Sequence, residues 1–136
     1  INGRVRDIPG KEINHWAGPL GSEGAWIELS WDRPQTIREV QITFDSGLQR
    51  ELMLTGSDSA NRGIIRAPQP ETVRDYRILW RRPGEAQLIE AVAVSGNYQR
   101  LRRHRIEAVE AQAVRIQVSA ASGDECARIF EVRCYG

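Results

Sequence analysis

The feature that most constrains this chain is a strict alternation of apolar and polar residues in two neighbouring segments. In the first segment, Ile27, Leu29 and Trp31 alternate with polar residues. The apolar positions of the second segment are Val40, Ile42 and Phe44. A period of two is typical of a strand with one buried face and one face in water. Pro34 lies between the segments and has no N–H to give to a sheet, so the sequence predicts two strands joined by a short polar turn.

Alternating or short apolar segments recur along the rest of the chain, at residues 76–80, 88–94, 104–108, 114–118 and 130–134. Apolar residues do not recur at helical spacing over three turns, so no long helix is expected. A half-buried antiparallel layer needs a second layer to cover it. The sequence therefore predicts an all-β fold, a sandwich of about eight antiparallel strands with its functional residues in the loops.

Length and charge narrow the classes of protein that fit. A chain of 136 residues is expected to form one domain, residues 1–136. It begins at Ile1 without an initiator Met, which we interpret as a piece cut from a longer protein. The net charge of +1 gives no general attraction to nucleic acid, and no apolar run approaches the roughly 20 residues of a membrane span. We expect a monomer that does not bind nucleic acid and does not span a membrane.

Arginine dominates the basic residues. Of the 19 Lys and Arg residues only Lys11 is a lysine, which leaves 18 arginines. A GC-rich genome explains this bias, and so does selection of guanidinium groups that bind carboxylate or sulfate groups of a ligand. Both explanations can hold together.

The two cysteines are predicted to remain unlinked. If Cys126 and Cys134 both lie on the last strand they are about 26 Å apart, too far for a disulfide. Cys134 is in phase with Phe130 and Val132 and is predicted to be a core thiol. Two cysteines also fall short of a zinc site.

Several motifs together resemble a known group of domains. An early Asn-Gly, an Asn-x-Trp loop, "WIEL-WD-P-TI-EV-ITFD" and the closing "ARIFEVRCYG" resemble galactose-binding-like (discoidin) domains. That group includes coagulation-factor type C domains and carbohydrate-binding module family 32. The segments GLQREL, PQPETVRDYRI, GNYQR and ARIFEVR are similar to the C-terminal domain of bacterial FAD-dependent oxidoreductases.

The resemblance implies a jelly-roll sandwich with a galactose-binding-like fold, often appended to an enzyme and often sugar-binding through loops at one rim. It also implies a bacterial, exported parent protein. The chain has no dinucleotide fingerprint, so no flavin or nucleotide is expected in this domain. Any flavin would belong to an upstream domain.

Two sets of loop residues are candidates for ligand contact. In the first, the indole of Trp16 can stack on a sugar ring, and His15, the better contact candidate of the two, can bond to hydroxyls. The favoured alternative for Trp16, which matches many discoidin-like domains, is a plug over the end of the sandwich. The second set comprises Arg50, Arg66, Asn97, Tyr98 and Arg100. These side chains suit a polar site for a sugar, particularly an acidic one. For each arginine alone, the alternative is a solvated pair with a glutamate.

The resemblance also implies a structural calcium between the N-terminal loop and the last strand, for which Asn2, Asp7 and Glu131 are the candidate ligands. Asn2 stands where such domains usually carry Asp, which removes one charged ligand. Calcium needs six to eight oxygen ligands, and only three can be named. A pair between Glu131 and an arginine is the alternative.

Known catalytic signatures for a serine, zinc or cysteine hydrolase are missing from the sequence. We therefore expect a non-catalytic carbohydrate-binding module that binds a glycan, possibly an acidic one, through rim loops. The first alternative is an accessory domain that packs on an attached enzyme, an FAD-dependent oxidoreductase or a glycoside hydrolase, and has no ligand of its own. The second is a domain that recognises protein or lipid.

Overall fold

A computed structural model describes residues 3–8, 10, 13–50 and 53–136. Within these residues it contains strands β1 (Trp16–Pro19), β2 (Ala25–Phe44), β3 (Val73–Arg81), β4 (Leu88–Val94), β5 (Leu101–Ala121) and β6 (Cys126–Tyr135), and helix α1 (Asp58–Arg62). All strand pairs are antiparallel, in the order β1-β6-β2-β5-β3-β4. The predicted all-β fold is confirmed. In the described part of the chain, no helix has the length and apolar character needed to cross a membrane.

The two longest strands are bent, and here one prediction was wrong. Strand β2 has 20 residues and runs through Pro34 without reversing, so its two halves do not form a hairpin. Pairing with β5 shifts from Ser30–Ala113 to Gln35–Ala111, which sets four residues of β2 against one of β5. Such a bulge bends a strand and also suits a residue that lacks an N–H. A turn and a bulge therefore share the same sequence signal at Pro34.

The bends fold the single sheet into two layers. Layer one contains β1, β6, the second half of β2 and the first half of β5. Layer two contains the first half of β2, the second half of β5, β3 and β4. Because β2 and β5 each contribute a segment to both layers, the six strands provide eight segments. The expected sandwich of about eight strands is confirmed.

The core lies between these layers. Val40, Ile42 and Phe44 are fully buried in it, as their alternation predicts. Cys134 packs against the core from β6, and burial raises the pKa of its thiol to about 11. Cys126 and Cys134 are both free, as expected of two residues spaced along one strand. The two layers thus enclose the apolar side chains, and the connecting loops lie at the ends.

Candidate functional site

The long connection after β2 and the short loop before β5 meet at one end of layer one, which we call the rim. Strand β2 ends at Phe44 and β5 begins at Leu101, directly opposite Thr43. The backbone N–H of Phe44 donates to the carbonyl of Arg100 at 2.8 Å. The loop that follows β2 and the loop that precedes β5 are therefore held side by side by the sheet.

A cleft of about 480 Å³ opens at the rim, between the N-terminal segment and the loop after β2. We call it the rim cleft; it is lined by Arg6, Asp7, Ile8, Asp45, Leu48, Gln49 and Phe130. Leu48 and Ile8 are exposed apolar residues, whereas Phe130 is buried. The lining combines apolar surface with a few polar groups, which is typical of small-molecule sites.

Asp45 is the buried carboxylate of the cleft, and its position is fixed by the backbone. One oxygen accepts from the N–H of Gly47 at 2.9 Å, and the other lies 3.8 Å from the guanidinium of Arg128. Arg128 is bound more closely to Asp124, at 2.9 Å. Asp45 thus orders the first turn of the loop after β2, which carries Leu48 and Gln49 into the cleft.

The other side of the cleft is built on Phe130. The ring of His15 packs edge-on against it with centroids 5.6 Å apart, and Arg100 lies over it at 5.0 Å. One oxygen of Asp7 lies 2.8 Å from Nδ1 of His15, and the other accepts from the N–H of Asn14 at 2.7 Å. Three of the residues predicted from sequence, Asp7, His15 and Arg100, therefore come together around the cleft.

Arg100 is also held by the loops on either side. Its guanidinium donates to the hydroxyl of Ser46 at 3.0 Å and to the carbonyl of Val5. Burial lowers the pKa of Arg100 from its ordinary value. The side chain therefore connects the N-terminal segment, the loop after β2 and Phe130.

Arg50 is engaged inside the protein. It donates to both oxygens of Glu71 and, at 2.9 Å, to the side-chain carbonyl of Gln69. The hydrogen bond with Glu71 raises the pKa of Arg50, and the same bond holds the pKa of Glu71 below its usual value. Because Glu71 is buried, this pair closes the long loop onto the start of β3.

The loop before β5 contains two other residues predicted to contact a ligand, and it gives them different surroundings. Asn97 is buried, and its amide group donates to the carbonyls of Val73 and Gln99. Its oxygen accepts from the N–H of Gln99 and from Arg102. Tyr98, beside it, is 68% exposed. Asn97 shapes the loop, and Tyr98 presents its ring to solvent.

Arg66 and Trp16 lie apart from the rim cleft. Arg66 lines a second depression, formed by α1 and the residues after it. Trp16 is half-buried and packs against the hydrophobic core. It is the first residue of β1, so it lies in a strand and not in the loop expected for it. Neither residue lines the rim cleft.

The described residues give little support to the calcium site. Both oxygens of Asp7 are occupied by Asn14 and His15, and Glu131 is buried and pairs with Arg133 at 3.0 Å. Asn2 lies outside the residues that the structure describes. Within the described ranges no three His, Cys, Asp or Glu residues are grouped as a metal site would require. The two described candidates are already engaged by neighbouring groups, and the calcium site stays a prediction.

Sequence reasoning missed most of the cleft lining, namely Arg6, Ile8, Asp45, Leu48, Gln49 and Phe130. The only local signal was the Asp-Ser-Gly that follows the strand ending at Phe44, which is typical of a turn. Phe130 appeared to be an ordinary strand residue, because nothing in the sequence shows which loop covers it.

Comparison with protein-family models and with curated proteins gives no match. Solved structures do resemble the chain. Chitosan-binding module 1 of a chitosanase/glucanase from Paenibacillus sp. IK-5 has a TM-score of 0.67 at 14% identity, over 94% of this chain and 80% of that one. The family 32 carbohydrate-binding module of Streptococcus pneumoniae EndoD has a TM-score of 0.62 at 14% identity, over 89% of this chain and 74% of that one.

A third similar structure is a Clostridium perfringens module, CpGH89CBM32-5, in complex with GalNAc-β-1,3-galactose. Its TM-score is 0.63 at 15% identity, over 95% of this chain and 80% of that one. At such low identity the likeness is one of fold, and it agrees with the galactose-binding-like sandwich implied by the sequence motifs. The chain has the fold of the family 32 carbohydrate-binding modules.

Proposed function

We propose that this chain is a non-catalytic carbohydrate-binding module that holds a glycan in the rim cleft. The observation that carries the proposal is the cleft itself, in which polar groups and apolar surface converge on a rigid sandwich end. Support comes from the similar structures, whose names include chitosan-binding and family 32 carbohydrate-binding modules. Because fold alone does not determine function, the proposal depends on the residues of the cleft.

The cleft offers the contacts that a sugar needs. Leu48 and Ile8 provide exposed apolar surface for the C–H groups of a sugar ring. Arg6 donates hydrogen bonds to hydroxyl groups, and so does Gln49 through the amide hydrogen that is not used in its 3.2 Å bond to Glu71. The loops are held by Asp45 and Arg100, so little conformational freedom is lost when a ligand binds.

The charges of the cleft favour a neutral or amino sugar over an acidic one. Two carboxylates, Asp7 and Asp45, line it beside the guanidinium of Arg6. Arg100 and Arg128 lie close by, but their guanidinium groups are already bound within the protein. Arg50, which was expected to bind an acidic ligand, is bound to Glu71 instead. An acidic glycan would place its carboxylates close to those of the protein, and like charges repel.

The test is affinity electrophoresis of the chain, with galactan and soluble chitosan as neutral and amino glycans and alginate as the acidic one. We expect Arg6→Ala and Gln49→Ala each to weaken binding about fivefold, because each removes a hydrogen bond worth about 1 kcal/mol. The matched control is Arg62→Ala, an exposed arginine of α1 that lies outside the cleft.

Migration that is unchanged by all three polysaccharides would contradict the proposal. It would also be contradicted if Arg62→Ala weakened binding as much as Arg6→Ala does. Retardation by alginate alone would overturn the choice of a neutral or amino sugar.

A specific observation favours a second candidate, an accessory domain packed on an attached catalytic domain. The loop after β2 carries three exposed apolar side chains, Leu48, Met53 and Leu54. Exposed apolar surface of this kind suits burial against another domain. This alternative expects these side chains to be protected in the parent protein and no glycan to be bound.

A further inference from the structure

An exposed tryptophan lies on the outer face of layer two, away from the rim cleft. Trp26 is 52% exposed, and it follows the buried Ala25 at the start of β2. Its cross-strand neighbour on β5 is Gln117, whose own neighbour on β3 is Arg77. Gln117 lies between the buried residues Ile116 and Val118, so it shares the outer face with Trp26.

The indole is fixed in place by a charged network. The guanidinium of Arg115 lies over the ring, with its carbon 4.1 Å from the ring centroid. Arg115 in turn donates to Glu28 at 2.9 Å, and Glu28 also accepts from Arg81 at 3.4 Å. A cation over an aromatic face is attractive, so this arrangement holds the ring in one orientation. We call Trp26, Glu28, Arg115 and Gln117 the Trp26 platform.

The surroundings of Trp26 are polar and differ from those of a protein–protein interface. Its neighbours on this face are two arginines, a glutamate and a glutamine, whereas an interface core is depleted of charge. An exposed aromatic ring among hydrogen-bonding side chains suits a ligand that has both an apolar face and hydroxyl groups. A pyranose ring has both.

The charge balance indicates a neutral sugar. Arg77 lies 3.5 Å from Glu90, while Arg81 and Arg115 both contact Glu28. Each of these three arginines therefore already has a carboxylate partner. A carboxylate on the ligand would have to compete with those pairs, but a neutral ring does not.

We propose that the Trp26 platform is a second carbohydrate-binding site, which stacks a neutral pyranose ring on the face of the indole that Arg115 does not cover. The hydroxyl groups of the sugar bond to Gln117 and to the neighbouring Arg77. The inference rests on the proposed function, since it assigns a second site to the same glycan-binding module. Two sites on different faces would let one domain bind two chains of a polysaccharide, which raises avidity without new contacts at the rim.

The experiment is isothermal titration of the chain with two neutral probes, N-acetylchitohexaose and laminarihexaose. Two binding events are expected. Trp26→Ala removes one event, Trp26→Phe keeps it with weaker affinity, and Arg6→Ala combined with Gln49→Ala removes the other. Tyr135→Ala is the matched control, because Tyr135 is an exposed aromatic on layer one. Quenching of tryptophan fluorescence by acrylamide gives a second readout. More than half of the Trp26 side chain is exposed, so a bound sugar should protect it from the quencher.

The outcomes separate the two proposals. If Trp26→Ala binds as the unaltered chain does, the platform is overturned and the rim cleft stands. If the variant that combines Arg6→Ala and Gln49→Ala binds as the unaltered chain does, while Trp26→Ala does not bind, the platform is supported and the cleft is overturned. Absence of binding to both probes overturns the platform, and together with unchanged migration in the electrophoresis it overturns the cleft as well. Protection of Trp26 that rises with protein concentration and without sugar would show a contact between two copies, and this also overturns the platform.

Discussion

Asn97 has the residue type expected of a sugar contact, yet its side-chain amide is used within the protein. It ties the loop before β5 to the backbone of Val73 and Gln99. Arg50 is used in a similar way by Glu71. At the scale of one residue, sequence identifies side chains able to bind a ligand. It does not show which of them already bind a neighbour, because those partners come from distant parts of the chain.

Gly47 gives a sharp prediction at this scale. Its φ is +68°, and a Cβ there would lie 2.4 Å from a guanidinium nitrogen of Arg50. We expect Gly47→Ala to lower the free energy of unfolding by about 2 kcal/mol, since the backbone is strained and the arginine is displaced. Urea denaturation measures the change.

Gly56→Ala is the matched control, because Gly56 has no positive φ and its Cβ would meet nothing within 4 Å. Its effect should stay below about 1 kcal/mol. Equal effects of the two substitutions would show that the turn at Gly47 does not have the described geometry.

At the scale of the element, the bent strands β2 and β5 determine how the layers connect. Alternation identified residues of β2 to β6, including the buried Val114, Ile116 and Val118. It missed β1, whose residues were expected to form a loop. It did not show that residues 104–108 and 114–118 belong to one strand. Whether a break in the pattern reverses the chain or only bends it depends on which strand pairs across it, and pairing is not visible in one sequence.

A buried pair links two of these elements. On β5, His104 is buried, and its Nε2 lies 2.8 Å from the hydroxyl of Tyr76 on β3. Burial, with a smaller contribution from Arg102, lowers the pKa of His104 below 6.5. Burial also raises the pKa of Tyr76 to about 12. At neutral pH the pair is therefore uncharged.

The sign of the pH dependence follows from the lowered pKa. Between the pKa of folded His104 and 6.5, the unfolded chain binds the proton more tightly, so stability falls as pH falls. The contribution of His104 is complete above about pH 6.5. We expect His104→Gln to lose stability at neutral pH and to have a flatter profile between about pH 5 and 7. Thermal unfolding measured across this range tests it, and parallel profiles for the two proteins would contradict it.

At the scale of the whole molecule, period-two alternation was enough to predict two layers around one core. The motifs added the galactose-binding-like fold, which the similar structures share. The rim cleft was not predictable, because its lining joins residues 6–8, 45–49 and 130. Trp26 was overlooked for a different reason. It shares the polar face of its strand with Glu28, and alternation does not distinguish an exposed tryptophan that binds from one that only packs.

The most direct test of the account is a sugar titration followed by backbone amide NMR of the chain, with the best-binding glycan of the electrophoresis panel reduced to oligosaccharides. The account predicts shifts at the rim cleft, in the amides of Arg6, Gly47, Leu48 and Gln49. A second set is expected at Trp26 and Gln117 when the sugar is neutral. Shifts confined to α1, or a spectrum that no oligosaccharide changes, would contradict it.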